Sequence, residues 1–519
     1  MIPIATPKQM RRLDNVTIND YGVSGLLLME RASLGIAEKA RMMLDGNIVD
    51  ANIKVFCGKG NNGGDGFAAA RHLHSWGADV EVILIGKLDE LSGDALQNAN
   101  MWLKRNGKIT ITTSLRKNLF ADKQPDLTID ALLGTGFQGE PSKPYTDAIE
   151  LINKCPLILS VDIPSGTDGE TGEVKSISVK AHSTVTLGML KPGLLLPPGR
   201  EYCGELELCD IGIPYKVLHN HSINNYLVEG IDVELKCLPS FAHKGDAGKV
   251  LVIAGSLGMT GAAVLCADAS MRSGAGLTLL ATPKSCVPIV ASHLSETMTL
   301  PLPENEDGTI SHNALSIMNE KIEWADSIVI GPGIGQNDST KMFLCGLLET
   351  LREKTSPKNK VQLIVDADAL NLIAIEPTLL EHLPKNTVLT PHPGEFSRLC
   401  NLSITEILHN RLEIVKKYAK LWHATIVLKG SPTLTTLKNG ITYFNSTGNP
   451  GMATGGSGDV LSGVIAALAA RYKDVHTASW QGVYLHGLAG DFAREEIGEF
   501  SMKAGDILTY LPDAFQKVL

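Results

Sequence analysis

The chain has 519 residues, of which 44% are hydrophobic and 20% are charged, and its formal net charge is -9. At about 100 to 200 residues per domain, this length indicates two or three domains with sizeable cores, and the composition excludes a disordered chain. The acidic balance, without any sustained Lys/Arg tract, argues against a nucleic-acid or anionic-membrane partner and favours small-molecule ligands.

The cysteines and the first residues bear on the compartment. Nine cysteines are scattered without a CxxC pair or metal-ligand spacing, which indicates reduced thiols and not a disulfide framework. The start of the sequence lacks the apolar core of a signal peptide, and no apolar run approaches the roughly 18 residues of a membrane span. We therefore expect a cytoplasmic protein.

Two helices are predicted near the start of the chain, because residues 8–20 and 24–44 carry apolar side chains at helical spacing and precede the first predicted strand. From Ile53 onward, apolar runs alternate with helical stretches, which is typical of a mainly parallel, doubly wound, Rossmann-like α/β sheet. The runs of this first series lie at residues 53–57, 80–86, 126–134, 156–164 and 183–188.

The alternation is interrupted over residues 213–239, where polar and short apolar pieces prevail. A second series of apolar runs then begins at Lys249, Gly276, Ser327, Val361, Thr387 and Thr425. We therefore predict two α/β domains, residues 1–225 and 226–519, each with its own sheet. Their glycine motifs differ in type and order, which favours the fusion of two activities over a duplication.

The first glycine-rich motif is GKGNNGGDGF, residues 58–67, between a predicted strand and the predicted helix FAAARHLHSWG. Backbone amides at such a helix start can hold an anion, so the motif indicates a phosphate-binding turn. The alternative is a tight turn that uses glycine only for positive φ. The motif matches neither a dinucleotide GxGxxG fingerprint nor a P-loop.

Two carboxylates are predicted at the carboxyl ends of strands in this half, Asp130 and Asp162, where open parallel sheets bind ligands. Each could instead cap a helix or face solvent. The oxygen atoms of Asn62, Asp130 and Ser165 would suit a hard cation such as K⁺ or Mg²⁺, because no His or Cys cluster offers a softer site.

The runs GNNGGDG, 130–136 and VDIPSG together resemble the N-terminal domain of the NAD(P)H-hydrate epimerases, over about residues 8–213. The resemblance implies K⁺ held by Asn62, Asp130 and Ser165, and Asp162 as the acid/base group. We expect replacement of Asp162 to have little effect on folding. The implied substrate contacts are Asn61, Asn62, Gly63, Gly64, Asp65, Gly134, Thr135, Gly136, Phe137, Gln138, Gly139, Glu140 and Asp162.

The second glycine-rich motif is NPGMATGGSGDVLSG, residues 449–463, followed by the predicted helix VIAALAA. Its glycines, Gly455, Gly456 and Gly458, place amides at a helix start, and Asp459 lies among them. Such a site suits phosphoryl transfer, because amides stabilise the charge while a carboxylate takes the hydroxyl proton. A purely structural glycine loop is the alternative.

This motif resembles the anion hole of ribokinase-like kinases, and with TPHPGEF, LKGSPT, GPGIG and HKGDAGKVLVIAGS it resembles the ADP/ATP-dependent NAD(P)H-hydrate dehydratases, over about residues 230–517. The whole chain resembles the bifunctional NAD(P)H-hydrate repair enzymes of bacteria. The resemblance implies a ribokinase-like second domain, ADP as phosphoryl donor, Mg²⁺, Asp459 as catalytic base and a homo-oligomer. The implied substrate contacts are Ala263, Gly335, His392 and Asp459, and the implied nucleotide contacts are Lys429, Gly430, Ser431, Pro432, Thr433 and Gly458.

Several of these residues also have structural interpretations. His392 could cap the following helix, and Lys429 could be a solvated strand end. Asp366 and Asp368 are interpreted as helix caps or outer-shell metal ligands. Trp422 and Trp480 are assigned to the core or the surface.

The two implied activities complement each other chemically. Hydration of NADH or NADPH puts a hydroxyl on C6 of the reduced nicotinamide, in an R or an S configuration. Phosphorylation turns this hydroxyl into a leaving group that the ring nitrogen can expel, and the hemiaminal carbon can invert with acid/base assistance. Two other functions remain open, a ribokinase-type vitamin or sugar kinase fused to a binding domain and a non-catalytic nucleotide-binding scaffold.

Overall fold

A computed structural model describes residues 1–114, 124–218, 223–354 and 361–519. The chain divides into two compact units, Ile2–Asn225 and Tyr226–Leu519. Within the described ranges, every helix is too short or too polar to cross a membrane. Of the segment 213–239, where the sequence pattern breaks, residues 219–222 lie outside the described residues.

The first unit contains eight strands and six α-helices in its described residues. In chain order they are β1 (Ile2–Pro3), α1 (Pro7–Asn19), α2 (Gly25–Met43), β2 (Asn52–Cys57), α3 (Asn61–Ser75), β3 (Asp79–Ile85), α4 (Gly93–Lys104), β4 (Lys108–Thr112), β5 (Leu127–Ala131), α5 (Lys143–Ile152), β6 (Ile158–Val161), β7 (Ser183–Leu187), β8 (Glu205–Cys209) and α6 (Tyr215–Leu218).

The central sheet of this unit has seven parallel strands in the order β4-β3-β2-β5-β6-β7-β8. The chain moves outward from β2 to β4 and then returns to β5 on the other side of β2. The strand order therefore reverses between β2 and β5. A crevice at the carboxyl ends of two such strands is where open α/β sheets bind ligands.

Both faces of this sheet are buried, as a doubly wound fold requires. Along β2, Val55 and Cys57 pack into one hydrophobic cluster, whereas Phe56 packs into the cluster on the opposite face. The same alternation occurs in β3, where Val82 and Ile83 belong to different clusters. The alternation follows from the two-residue period of a strand, and the predicted doubly wound α/β sheet is confirmed.

The second unit begins within β9 and continues to the end of the chain. Its elements are β9 (Asn225–Leu227), β10 (Lys249–Ile253), α7 (Thr260–Arg272), β11 (Leu277–Pro283), α8 (Val287–Ala291), β12 (Met298–Leu302), α9 (Leu315–Trp324), β13 (Ser327–Ile330), α10 (Asp338–Lys354), β14 (Gln362–Val365), α11 (Ala367–Ile375), β15 (Thr387–Leu389), α12 (Pro393–Cys400), α13 (Ile404–His409), α14 (Arg411–Leu421), β16 (Thr425–Leu428), β17 (Leu434–Thr436), β18 (Thr442–Phe444), α15 (Ser457–Tyr472), α16 (Val475–Ile497) and α17 (Ala504–Val518).

In the second sheet the strands follow the order β9-β18-β17-β16-β15-β14-β13-β10-β11-β12. The strands from β16 to β12 are parallel, and β17 and β18 are antiparallel to their neighbours. The order reverses between β10 and β13, so this sheet also has a crevice position at its carboxyl edge. Helices α7, α15, α16 and α17 pack together over one face of the sheet.

Three expectations from the sequence need correction. A two-residue strand, β1, precedes the first helix. Helix α3 begins at Asn61, inside the first glycine-rich motif, and α15 begins at Ser457, inside the second, so both helices start before the apolar stretches that were predicted to be helical. The strands β4, β8, β9, β12, β17 and β18 were not predicted, since they are short or only partly buried and carry weak apolar patterns.

Candidate active sites

The first unit contains a cavity of about 730 Å³ at the carboxyl edge of its sheet, within the range of ligand pockets. Residues of the first glycine motif and of the turn after β5 line it together. The predicted contacts that line the cavity are Asn61, Asn62, Asp65, Gly134, Thr135, Gly136, Phe137, Gln138, Glu140 and Asp162. Gly63, Gly64 and Gly139, which were also predicted to contact the substrate, do not line it.

The glycines of α3 allow close packing of this helix. A Cβ on Gly63 would lie 2.0 Å from the carbonyl oxygen of Gly58, and one on Gly66 would lie 2.6 Å from Cβ of Ala131. Gly64 similarly faces Met29 and Ala95. None of these three glycines has a positive φ. They let the helix start lie against β2 and β5, which aims its amides at the cavity.

Asp130 is completely buried and lies at the centre of a hydrogen-bond network. Its carboxylate accepts from the Ser165 hydroxyl at 2.6 Å, the Ser165 amide at 2.9 Å and the Ser160 hydroxyl at 2.8 Å. Burial raises the pKa of Asp130 despite these donors. The helix-cap alternative is therefore wrong for Asp130, which holds the turn after β6 against the end of β5.

The three predicted K⁺ ligands meet around the backbone of Leu133. The side-chain amide of Asn62 donates to the Leu133 carbonyl at 3.0 Å, and the backbone amide of Leu133 donates to the Ser165 hydroxyl at 2.9 Å. The Ser165 hydroxyl in turn contacts Asp130. Among the described residues, no group of three His, Cys, Asp or Glu side chains could hold a metal ion, so a cation here would depend on hydroxyl, amide and carbonyl oxygens beside one carboxylate.

Asp162 forms a buried ion pair with Lys191, which the sequence analysis did not single out. Lys191 is completely buried and Asp162 is 6% exposed. The same oxygen of Asp162 also accepts from the Leu187 amide at 3.1 Å, and Lys191 donates to the Leu187 carbonyl at 2.8 Å. Asp162 has a φ of 65°, an uncommon conformation for a residue other than glycine.

This ion pair argues against the expectation that replacing Asp162 has little effect on folding. Replacing one partner of a buried ion pair leaves the other charge uncompensated, which costs about 3–5 kcal/mol. Asp162 therefore lines the cavity and also stabilises the turn after β6.

In the second unit, the glycine-rich motif forms the amino end of α15. Gly456 precedes the helix with a φ of 93°, and a Cβ there would lie 2.6 Å from Leu265, so this position requires glycine. Asp459 lies in the first turn of this helix, where the backbone amides donate to no carbonyl of the helix itself. Burial, followed by the like charge of Asp366, raises the pKa of Asp459 to about 7.

Lys429 and Asp366 pair beside this helix start. The Lys429 ammonium lies 2.9 Å from one oxygen of Asp366, and the Ser462 hydroxyl donates to the other oxygen at 2.7 Å. A Cβ on Gly458 would lie 3.2 Å from the same ammonium. Burial acts to lower the pKa of Lys429, but the carboxylates of Asp366 and Glu395 outweigh it and the pKa is raised.

This network corrects two structural interpretations. Asp366 precedes α11, but its side chain makes no capping hydrogen bond and instead binds Lys429 and Ser462. Lys429 is 21% exposed and paired, so it is not a solvated strand end. Asp368 accepts from the Gly335 amide at 3.0 Å and from the Gln336 side chain at 2.7 Å, which fixes the turn that follows β13.

His392 acts as the N-cap of α12. Its Nδ1 accepts from the Gly394 amide at 2.9 Å, and its own amide donates to Glu395 at 2.8 Å. Burial, followed by the charges of Lys429 and Arg398, lowers the pKa of His392. The capping interpretation is therefore confirmed.

The remaining predicted residues of this unit lie in two settings. Ala263 is completely buried in the core, so its side chain does not reach the surface of the site. The segment from Lys429 to Thr433 follows β16, and the buried Arg411 donates to the carbonyls of Leu428, Lys429 and Ser431. Arg411 therefore holds the shape of the predicted nucleotide segment.

Trp422 packs against Phe396, and Trp480 stacks on Tyr443, as expected of core residues.

Fold and sites define the class of protein. The first unit is doubly wound and has carboxylates in its cavity. The second is an α/β unit with a carboxylate in a glycine-rich helix start and a lysine beside it. Such a chain has the features of an enzyme with two small-molecule sites. Family models match both parts, "YjeF-related protein N-terminus" over residues 25–193 and "NAD(P)H-hydrate dehydratase" over residues 250–513.

Relatives match along almost the whole chain. The bifunctional NAD(P)H-hydrate repair enzyme of Moorella thermoacetica is 39% identical over 98% of this chain and 96% of its own, and that of Escherichia coli is 34% identical over 88% and 84%. A ribokinase-like superfamily protein of Enterococcus faecalis is 28% identical, with a TM-score of 0.50, over 57% of this chain and 96% of its own. The chain belongs to the bifunctional NAD(P)H-hydrate repair enzymes, and the resemblance of its motifs is confirmed.

Proposed function

We propose that the protein repairs hydrated NADH and NADPH with two separate sites. The first domain, residues 1–225, interconverts the R and S hydrates. The second domain, residues 226–519, uses ADP to dehydrate the S hydrate, giving NADH or NADPH, AMP and phosphate. The observation that carries the proposal is the presence, in each unit, of a carboxylate at the carboxyl edge of a parallel sheet beside a glycine-rich helix start.

In the first domain, the hydrate lies in the cavity with C6 near Asp162. The amides of α3 and the turn from Gly134 to Glu140 hold the dinucleotide, because both line this cavity. Lys191 pairs with Asp162 and fixes the direction of its carboxylate. Asp162 then takes or returns the proton of the C6 oxygen while the configuration inverts.

In the second domain, Asp459 takes the proton of the C6 hydroxyl as the oxygen attacks the terminal phosphorus of the donor. The amides at the start of α15 and the Lys429 ammonium stabilise the charge on the transferred group. The phosphorylated carbon then expels phosphate with the help of the ring nitrogen. The pKa of about 7 suits Asp459 to accept this proton near neutral pH.

Ligand contacts follow from the same arrangement. The segment from Lys429 to Thr433, together with Gly458, binds the nucleotide next to the start of α15. Gly335 and His392 border the hydrate, whereas the completely buried Ala263 lies in the core beneath the site. Homo-oligomeric assembly and a cytoplasmic location remain predictions from the sequence.

Two ions complete the proposal. The described ion pairs include no partner for the buried Asp130, so K⁺ held by Asn62, Asp130 and Ser165 would balance its charge and order the turn that carries Asp162. Mg²⁺ would be held mainly by the phosphates of the donor beside Asp366 and Asp459, the carboxylates at the start of α15, and would neutralise charge on the transferred phosphoryl group.

The proposed function predicts a specific product balance. Wild-type protein given the S hydrate, Mg²⁺ and ADP should restore the reduced-nicotinamide absorbance and release AMP and phosphate in equal amounts. The R hydrate should be consumed under the same conditions faster than it epimerises spontaneously. A stable phosphorylated product without recovery of absorbance would instead identify a small-molecule kinase, and faster initial rates with ATP than with equal ADP would overturn the choice of donor.

The proposed K⁺ site predicts ion dependence in only one activity. Replacing K⁺ by Na⁺ should slow conversion of R to S hydrate, and Asp130→Asn should raise the K⁺ concentration needed for half-maximal rate by about 10-fold or more. Dehydration of the S hydrate should stay unchanged in both cases, which serves as the internal control. Equal epimerisation rates in K⁺ and Na⁺ would contradict the site.

A further inference from the structure

Helix α1 brings a carboxylate to the apolar wall of the cavity. The helix begins at the N-cap Thr6 with a capping box, and it buries Met10, Leu13 and Thr17 on the face towards the sheet. Asp14 lies one turn after Met10, at the edge of this buried face, and both residues line the cavity. A charged side chain at the edge of an apolar face is unfavourable unless a partner compensates for it.

Within the described residues, one oxygen of this carboxylate has no partner. Oδ1 of Asp14 is buried and accepts no hydrogen bond. Asp162, by contrast, accepts from Lys191, from the Leu187 amide and from Thr186. Buried polar atoms of proteins are rarely left without a partner, so each exception calls for a role. A hydroxyl group on a ligand in the cavity would satisfy this oxygen.

The surrounding charges set the protonation of Asp14. Burial is the largest influence and raises its pKa to about 6, the positive charge of Lys191 opposes this, and the negative charge of Asp162 adds to it. Asp65, on α3, also faces the group, and burial raises its own pKa. The charged side chains that line the cavity besides Asp14 are Arg11, Lys59, Asp65, Asp94, Glu140, Asp162 and Lys191.

Inversion at C6 needs a proton donor and a proton acceptor. When the hydroxyl is protonated, the bond from C6 to oxygen breaks, the ring nitrogen lone pair forms the iminium, and water leaves. Water then adds to the other face of C6 and gives up a proton, which regenerates the neutral hydrate. Two carboxyl groups that face one cavity in different surroundings are suited to these opposite tasks.

We infer that Asp14 is a second acid/base residue of epimerisation, which protonates the departing C6 hydroxyl while Asp162 accepts the proton of the incoming water. This inference rests on the proposed epimerase function and deepens it. Asp162 is assigned as the acceptor because its carboxylate is held in place by Lys191 and the Leu187 amide, whereas Oδ1 of Asp14 has no partner within the described residues. Reversal of the two roles converts the S hydrate back to the R hydrate.

The inference predicts both a rate and a pH dependence. Asp14→Asn should lower kcat for R-to-S conversion by about 10²- to 10⁴-fold, with KM within a few-fold of wild type. In the wild type, kcat/KM should fall as pH rises through about 6, since the acid loses its proton there. This inflection should be absent from the residual rate of Asp14→Asn, and Asp14→Glu should retain it.

The matched control is Asp20→Asn, an exposed carboxylate at the end of the same helix, which should keep the wild-type rate and profile. A wild-type rate in Asp14→Asn, a change confined to KM, or a wild-type profile without an inflection between pH 5 and 7 would overturn the inference. The last measurement decides the matter even where a variant fails to fold. Wild-type protein that does not epimerise at all would instead refute the proposed function.

Discussion

Asp459→Asn should slow dehydration of the S hydrate by about 10²- to 10⁴-fold, the range typical of a lost general base, while R and S hydrates still interconvert at the wild-type rate. Asparagine keeps the shape of the side chain but cannot accept the hydroxyl proton. The start of α15 and the ion pair of Lys429 with Asp366 should remain in place, because neither contains the Asp459 side chain. The initial rate of absorbance recovery with S hydrate and saturating ADP measures the effect.

The pH profile of the wild type gives an independent check. Since burial raises the pKa of Asp459 to about 7, the active carboxylate form is lost as pH falls below this value, and the dehydration rate should fall with it. Because the pKa of Asp459 is raised from its ordinary value of 3.8 to about 7, the free energy of unfolding should fall as pH rises between these two values, so the Asn variant should not be less stable near neutral pH. Asp513→Asn, which changes an exposed carboxylate on α17, is the matched control. Near wild-type dehydration by Asp459→Asn would remove Asp459 from the mechanism.

Asp162→Asn should reduce conversion of the R hydrate to the spontaneous rate and should also destabilise the first unit. The activity is lost because the proton acceptor at C6 is gone. The stability falls by about 3–5 kcal/mol because the completely buried Lys191 loses its counter-charge. Turnover of the R hydrate, together with denaturant unfolding of the first unit, measures both effects.

A double variant separates the two effects. Asp162→Asn combined with Lys191→Met removes both charges of the buried pair, so it should recover much of the stability that the single variant loses. It should remain inactive toward the R hydrate and keep full activity toward the S hydrate. Normal R-hydrate turnover by either variant, after correction for spontaneous epimerisation, would place the epimerase centre elsewhere.

The parallel strands could be predicted from the sequence because strands that are buried on both faces have continuous apolar runs, as in residues 53–57 and 361–365. The starts of α3 and α15 could not, because Gly and Asn have low helix propensity. In the structure α3 starts inside its motif, where a Cβ on Gly63 would collide with the Gly58 carbonyl, and Gly456 directly before α15 has a positive φ and lies against Leu265.

The sites were predictable in part. Asp162 and Asp459 stand beside glycine-rich runs at strand ends or helix starts, where the local pattern indicates ligand binding. Lys191, the partner of Asp162, lies 29 residues away in sequence, and Asp366, whose charge raises the pKa of Asp459, precedes it by 93 residues, so only the fold brings these groups to the sites. Asp14 gives no local signal, because a single carboxylate in an amphipathic helix is indistinguishable from a solvated one.

The central claim is that one chain holds two separate active sites that share a diffusible intermediate. A mixing experiment with the R hydrate and ADP tests it most directly, using Asp459→Asn and the double variant of Asp162 and Lys191. Neither protein alone should restore the reduced nicotinamide above the spontaneous rate, since one lacks dehydration and the other lacks epimerisation. The mixture should restore it at a rate approaching that of the wild type. A mixture as inactive as its components, or either component alone as active as the wild type, would contradict the claim.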